Sequence, residues 1–156
     1  WSTNLAMVGA INLPAVAEIY EQALFTPRYV VITGIDKNRV WLADPRRGMR
    51  EMSLEEFNQI WFGRLTILVP ASVKPASVLG QSSGGDAVRL LQLRLKKLGY
   101  FDQEPSGAYD AYTMEQVRKF QQHNRIRIDG LVGLETNLVL FSRLAGVDAP
   151  RLVTGG

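Results

Sequence analysis

A chain of 156 residues with 46% hydrophobic and 21% charged residues suits one domain or two small ones. Its formal net charge of +3 comes from 18 basic and 15 acidic residues without the clustered basic stripe that phosphate recognition needs, so no nucleic-acid partner is expected. The lack of cysteine excludes disulfides and thiolate metal sites, and runs such as YVVITGI (29–35) fall far short of the roughly 20 apolar residues of a membrane-spanning helix.

In chain order, AVAEIYE (15–21) and RYVVITGI (28–35) alternate or run apolar and are rich in β-branched residues, which predicts strands. Asp36–Asn38 predicts a turn and Arg39–Ala43 the return strand of a hairpin. DPRRGMR (44–50) is the densest basic spot and reads as a solvated loop. SLEEFNQIW (53–61) begins with Ser53 and carries Glu56 three residues later, a capping box, with Leu54, Phe57 and Trp61 at helical spacing. RLTILVP (64–70) predicts a further strand, stopped by Pro70. The sum is an α+β unit, a small antiparallel sheet with one helix.

A connector rich in Pro, Ser and Gly then places an N-terminal unit at 1–70, a linker at 71–85, a helical unit at 86–146 and a frayed tail at 147–156. DAVRLLQLRLKKLG (86–99) predicts a helix with Asp86 as N-cap, a stripe of Val88, Leu91, Leu95 and Leu98, and Gly99 as its left-handed stop. TMEQVRKFQQHN (113–124) predicts a second helix, with Thr113 as cap and Gln116 closing another capping box. TNLVLFSRLAG (136–146) predicts a third, and with it a three-helix bundle. An internal repeat runs through this unit: SGAYDAYT (106–113) aligns with DGLVGLET (129–136), each a glycine-bearing loop feeding a helix, with Thr113 and Thr136 as caps.

PRYVVITGI, VWLADPRRG and SLEEFNQIW, within about 27–68, resemble the C-terminal part of the C39 bacteriocin-processing peptidase domain, a papain-like fold. In that family a Pro-His-aromatic stretch supplies the catalytic His and an Asp-Pro pair the residue that orients it. The resemblance puts Arg28 at the His position and Asp44 at the Asp position. Papain-type chemistry needs a thiolate and an imidazole base. This chain has no Cys, its one His is His123 in the other unit, and an Arg stays protonated. The resemblance therefore implies a degenerate, non-catalytic scaffold in which Arg28 and Asp44 are vestigial positions able to pair with each other.

The helical unit resembles the type 1 peptidoglycan-binding family, whose pattern is met by Val88, Leu91, Gln92, Leu95, Leu98, Gly99, Tyr100, Gly107, Tyr109, Thr113, Val117, Phe120, Gln121, Asp129, Gly130, Val132, Gly133 and Thr136. Ser106 and Asp110 stand where Asp and Gly are usual, and Leu134 where Pro is common. Most of these positions read as core or turn, and Gln92 and Gln121 as loop buttresses. The resemblance implies a shallow groove of loops and helix ends, with Tyr109, Asp110, Arg118, Gln121, Asp129 and Gly130 contacting peptidoglycan. Arg and amide groups suit stem-peptide carboxylates and amides, and Tyr suits sugar rings. His123 reads as a surface residue, and no metal or cofactor is implied.

The two units in this order resemble the periplasmic C-terminal region of the general secretion pathway protein A family. That resemblance implies a fragment of an inner-membrane-anchored protein, and the start at Trp1 in place of Met reads the same way. It implies a periplasmic location, homo-oligomerisation on the cell wall, general secretion pathway protein B as partner, and anchoring of secretin assembly in type II secretion. Two other readings stand beside it: the wall-targeting module of a peptidoglycan hydrolase, and an inactive peptidase-like, peptide-binding module of an export system.

Overall fold

The chain divides into two units, Trp1–Pro70 with Ala149–Gly156, and Ala71–Asp148. The computed structural model describes residues 5–20, 26–67, 69, 77–145 and 151–152. The expected strand end at Glu21, the Pro70 stop, connector residues 71–76 and the Gly146 stop lie outside the described residues.

The first unit runs α1 (Leu5–Ile11), β1 (Ala15–Ile19), β2 (Arg28–Ile35), β3 (Arg39–Asp44), β4 (Gly48–Ser53), α2 (Leu54–Ile60) and β5 (Trp61–Ile67). Its strands form one sheet in the order β4-β3-β2-β1-β5, with antiparallel neighbours throughout. The period-2 alternation sends Arg28, Val30 and Ile32 of β2, and Val40, Leu42 and Asp44 of β3, to one buried face. Leu5 and Val8 of α1 and Phe57 of α2 join these apolar residues in a single core, each full burial worth about 1.5–3 kcal/mol. The Ser53–Glu56 capping box forms as read, so α2 starts where expected.

The sheet unit differs from expectation at four points. DPRRGMR does not stay a loop: it turns at 45–47 and continues into β4, whose first residue, Gly48, takes φ +71. That strand pairs with β3 from Asp44↔Gly48 to Arg39↔Ser53. It is an edge strand held by backbone bonds, with Met49 exposed, so no apolar alternation marks it. A second helix, α1, is built from the seven residues LAMVGAI, with no acidic residue in its first turn and no basic residue in its last. Trp61 is not the last turn of α2 but its C-cap and the first residue of β5. Leu152 of the expected frayed tail is 7% exposed and belongs to the first unit's core.

The second unit holds α3 (Asp86–Lys97), α4 (Ala111–His123) and α5 (Leu134–Leu144), the three helices expected. Gly99, at φ +79, follows the end of α3 as read. The N-caps fall elsewhere: Gly85 for α3, Asp110 for α4 and Gly133 for α5. Thr113 and Thr136 are not caps; both are buried inside the first turn, because each hydroxyl is taken by a glutamine from a neighbouring segment. The Asp110 carboxylate accepts the Thr113 amide at 2.7 Å in their place. Residues 79–85, read as connector, are tied to the helical unit. Leu79 and Val132 exchange backbone hydrogen bonds, and the Gly85 amide donates to Gly107 O at 2.8 Å.

Candidate functional site

The two repeat loops are built the same way, each around one buried glutamine. Gln121 Oε1 accepts from the amides of Gly130 (2.9 Å) and Asp129 (3.2 Å). Its Nε2 donates to Asp129 Oδ1, Leu131 O and Thr136 Oγ1. Gln92 repeats the pattern, accepting from Gly107 and donating to Ser106 Oγ, Ala108 O and Thr113 Oγ1. Both side chains are at most 1% exposed. A glutamine suits the task because its amide presents donors and an acceptor on one planar group.

The first loop keeps this shape despite its two departures. The Ser106 hydroxyl accepts from the Ala108 amide (3.2 Å), as Asp129 accepts from Leu131 (2.9 Å). Asp110 sits with φ −84 and ψ 179, extended backbone that any residue adopts, so the usual glycine is not required there. Its carboxyl is held below the ordinary range by the Thr113 amide and then the Thr113 hydroxyl.

The six expected contact residues therefore separate into two groups. Tyr109, Gln121 and Gly130 are buried. The Tyr109 hydroxyl donates to Gly130 O at 2.6 Å and locks the two loops together. Burial first, and then the Asp129 charge, push that phenol up to about 12. Gly130, at φ +71, lies against α4 so closely that a Cβ there would come within 2.9 Å of Met114 Cγ and 3.0 Å of Arg118 Nε. Asp110 and Arg118 are exposed and Asp129 is half-buried, within 3.4 Å of Arg127. Arg118 makes no ion pair among the described residues. Met114 and Arg127 complete this surface and were not anticipated; the spacing of Asp110, Met114 and Arg118 by four was the available signal.

In the sheet unit, Arg28 and Asp44 lie at the same end of the buried face on adjacent strands. The Arg28 guanidinium makes two bonds to the Asp44 carboxylate, 2.8 and 2.7 Å long. The Arg46 amide donates to Asp44 at 2.9 Å, and Arg50 lies 3.4 Å away. Burial works to raise the Asp44 carboxyl, but the Arg46 amide and Arg28 outweigh it and hold the group below its ordinary value. Arg28 and Asp44, the two positions singled out in the sequence, are thus joined in a buried ion pair. Among the described residues, no group of three or more His, Asp or Glu could hold a metal ion.

Residues 84–140 match the family described as "Putative peptidoglycan binding domain", and residues 2–73 match the Peptidase C39 family. The two matches occupy separate stretches of the chain, the first within the helical unit and the second over the sheet unit. A curated relative in Escherichia coli (strain K12), "Putative general secretion pathway protein A", is 27% identical over 93 residues, 60% of this chain. The chain spans only 19% of that relative's length. The crystal structure of a periplasmic domain of the EpsAB fusion protein of the Vibrio vulnificus type II secretion system shares the fold. Its TM-score is 0.52 at 21% identity, over 96% of this chain and 65% of that one. No described helix is long and apolar enough to cross a membrane.

Proposed function

We propose that the second unit binds peptidoglycan and that the first is its non-catalytic companion, together serving as a periplasmic wall anchor in type II secretion. The observation that carries this reading is the family match over 84–140, on a pair of fully formed, glutamine-buttressed loops. Asp110, Arg118 and Asp129 supply the contact surface, while Tyr109, Gln121 and Gly130 hold its shape from beneath. Arg118 can take a stem-peptide carboxylate through two parallel bonds. Such contacts are individually weak and gain strength when several copies bind one polymer.

The secretion setting is supported by the E. coli relative and the V. vulnificus domain. It brings further proposals: a homo-oligomer on the wall, general secretion pathway protein B as partner, an inner-membrane-anchored full-length protein, and a role in secretin assembly. The non-catalytic reading is supported by Arg28 at the base position and by the absence of cysteine from the chain. The test is co-sedimentation of the chain with purified sacculi. Wild type is expected to pellet and Arg118→Glu to remain largely in the supernatant with its fold intact. Equal pelleting of both, or of neither, would overturn this assignment of the surface.

A further inference from the structure

Gln116 is the third buried glutamine of the helical unit, and it behaves unlike the other two. Gln92 and Gln121 have both ends of their amides occupied by loop partners. Gln116 is only 5% exposed, yet its amide makes no hydrogen bond among the described residues. No fully buried polar side-chain atom lacks a partner there, so the Gln116 amide must reach solvent, and it does so through a groove of about 610 Å³ that it lines. A capping role would have engaged this side chain. Asp110 caps α4 instead, which leaves Gln116 unengaged.

The groove is walled by Tyr100 and Asp102, which follow α3, and by Tyr112, Lys119 and His123 of α4. Tyr112, Gln116, Lys119 and His123 recur at helical spacing on one flank of α4, and Met114 and Arg118 lie on the other. The groove is thus separate from the surface assigned to stem-peptide contact. Its aromatic walls are preset by core packing. Tyr100 meets Phe120 edge-on at 5.2 Å, and Tyr112 meets Phe101 at 5.4 Å. The Tyr112 hydroxyl donates to the Asp102 carboxylate.

The geometry points to a saccharide subsite for an N-acetylated amino-sugar segment of a glycan strand. A free amide set deep in a groove matches a ligand that offers its own amide, donor to acceptor and acceptor to donor. Fixed tyrosine rings suit the apolar faces of a pyranose, and walls fixed before binding lose little freedom on binding. One lysine and one aspartate in the lining balance each other's charge and favour a neutral ligand over an anionic one. This inference rests on the wall-binding reading of the same unit and assigns the sugar to a flank that reading leaves unused.

The test is a heteronuclear NMR titration of the full chain with a tetramer of N-acetylglucosamine, run beside co-sedimentation with sacculi. The tetramer is expected to shift the amides of Tyr100, Tyr112 and Gln116. Gln116→Leu, similar in volume, should weaken binding roughly tenfold, the scale of one or two neutral hydrogen bonds. Lys119→Ala, exposed and outside the core, serves as a second variant and should weaken it by a smaller factor. Shifts confined to residues 127–131, or undiminished affinity in Gln116→Leu, would overturn the subsite. Absence of tetramer binding would also overturn it, and pelleting of wild type with sacculi would then show that the wall-binding reading survives. Failure of both assays would remove both.

Discussion

Replacing Arg28 by Ala is expected to destabilise the sheet unit by about 3 kcal/mol, because the loss strands a buried carboxylate. The Asp44 side chain is 0% exposed and loses two charge-assisted bonds of 2.8 and 2.7 Å. It keeps the Arg46 amide at 2.9 Å, the Arg47 amide, and Arg50 at 3.4 Å. Breaking a buried pair costs about 3–5 kcal/mol, and the remaining Arg50 puts the expected loss at the lower end. Trp1, Trp41 and Trp61 all lie in this unit, so tryptophan fluorescence in a urea titration reports on it alone. The double change Arg28→Met with Asp44→Leu should recover most of the loss, since it removes the charge together with its partner. The pair also sets an acid response. The Asp44 carboxyl titrates below its ordinary value in the folded chain. Its contribution is therefore complete above the unfolded carboxyl value near pH ~4 and is lost as pH falls through the lower folded value. Arg28→Ala should shrink that acid step. A single-variant cost under about 1 kcal/mol, or a double variant no more stable than the single, would refute the assignment of this pair as a desolvated structural bridge.

Three further outcomes concern the helical unit. Gln121→Leu takes the acceptor from the Gly130 and Asp129 amides and should cost about 2–4 kcal/mol, read as faster hydrogen exchange at Gly130. Tyr109 holds its proton to about 12 in the folded chain, above the ordinary 10, so its contribution is complete below the ordinary value and is lost as pH rises through the folded one. Tyr109→Phe should lack that alkaline decline in a pH series of thermal melts, at a cost of about 1 kcal/mol near neutrality for the lost bond to Gly130 O. Asp110→Ala should cost about 1 kcal/mol through the lost cap, and this difference should vanish as pH falls through the depressed Asp110 value.

Much of the fold was legible because local chemistry and tertiary structure agree. The Ser53–Glu56 box and the Gly99 stop each carry their own hydrogen-bonding logic and appear as read, and the two repeat loops form before their helices with the caps displaced from Thr113 and Thr136. Gln92 and Gln121 were legible as buttresses because each sits beside a core residue opposite a glycine loop. The alternation through Val30 and Ile32 puts Arg28 on the buried face, so its ion pair with Asp44 was open to sequence reasoning. What escaped lacked a local signature. β4 is held by backbone pairing to β3 and exposes its side chains. The α4 start was misplaced because Thr113 looks like a cap until Gln92 claims its hydroxyl across 21 positions. The Gln116 groove escaped for the same reason, since that side chain seemed already engaged in the cap.

The most direct measurement is a titration of the isotope-labelled full chain with soluble muropeptides released from sacculi, followed residue by residue. Saturable shifts are predicted in the 84–140 region, centred on Arg118, Asp110 and residues 127–131, with β1–β5 unperturbed. Shifts confined to the sheet unit, or none at any muropeptide concentration, would contradict the assignment of wall binding to the helical unit.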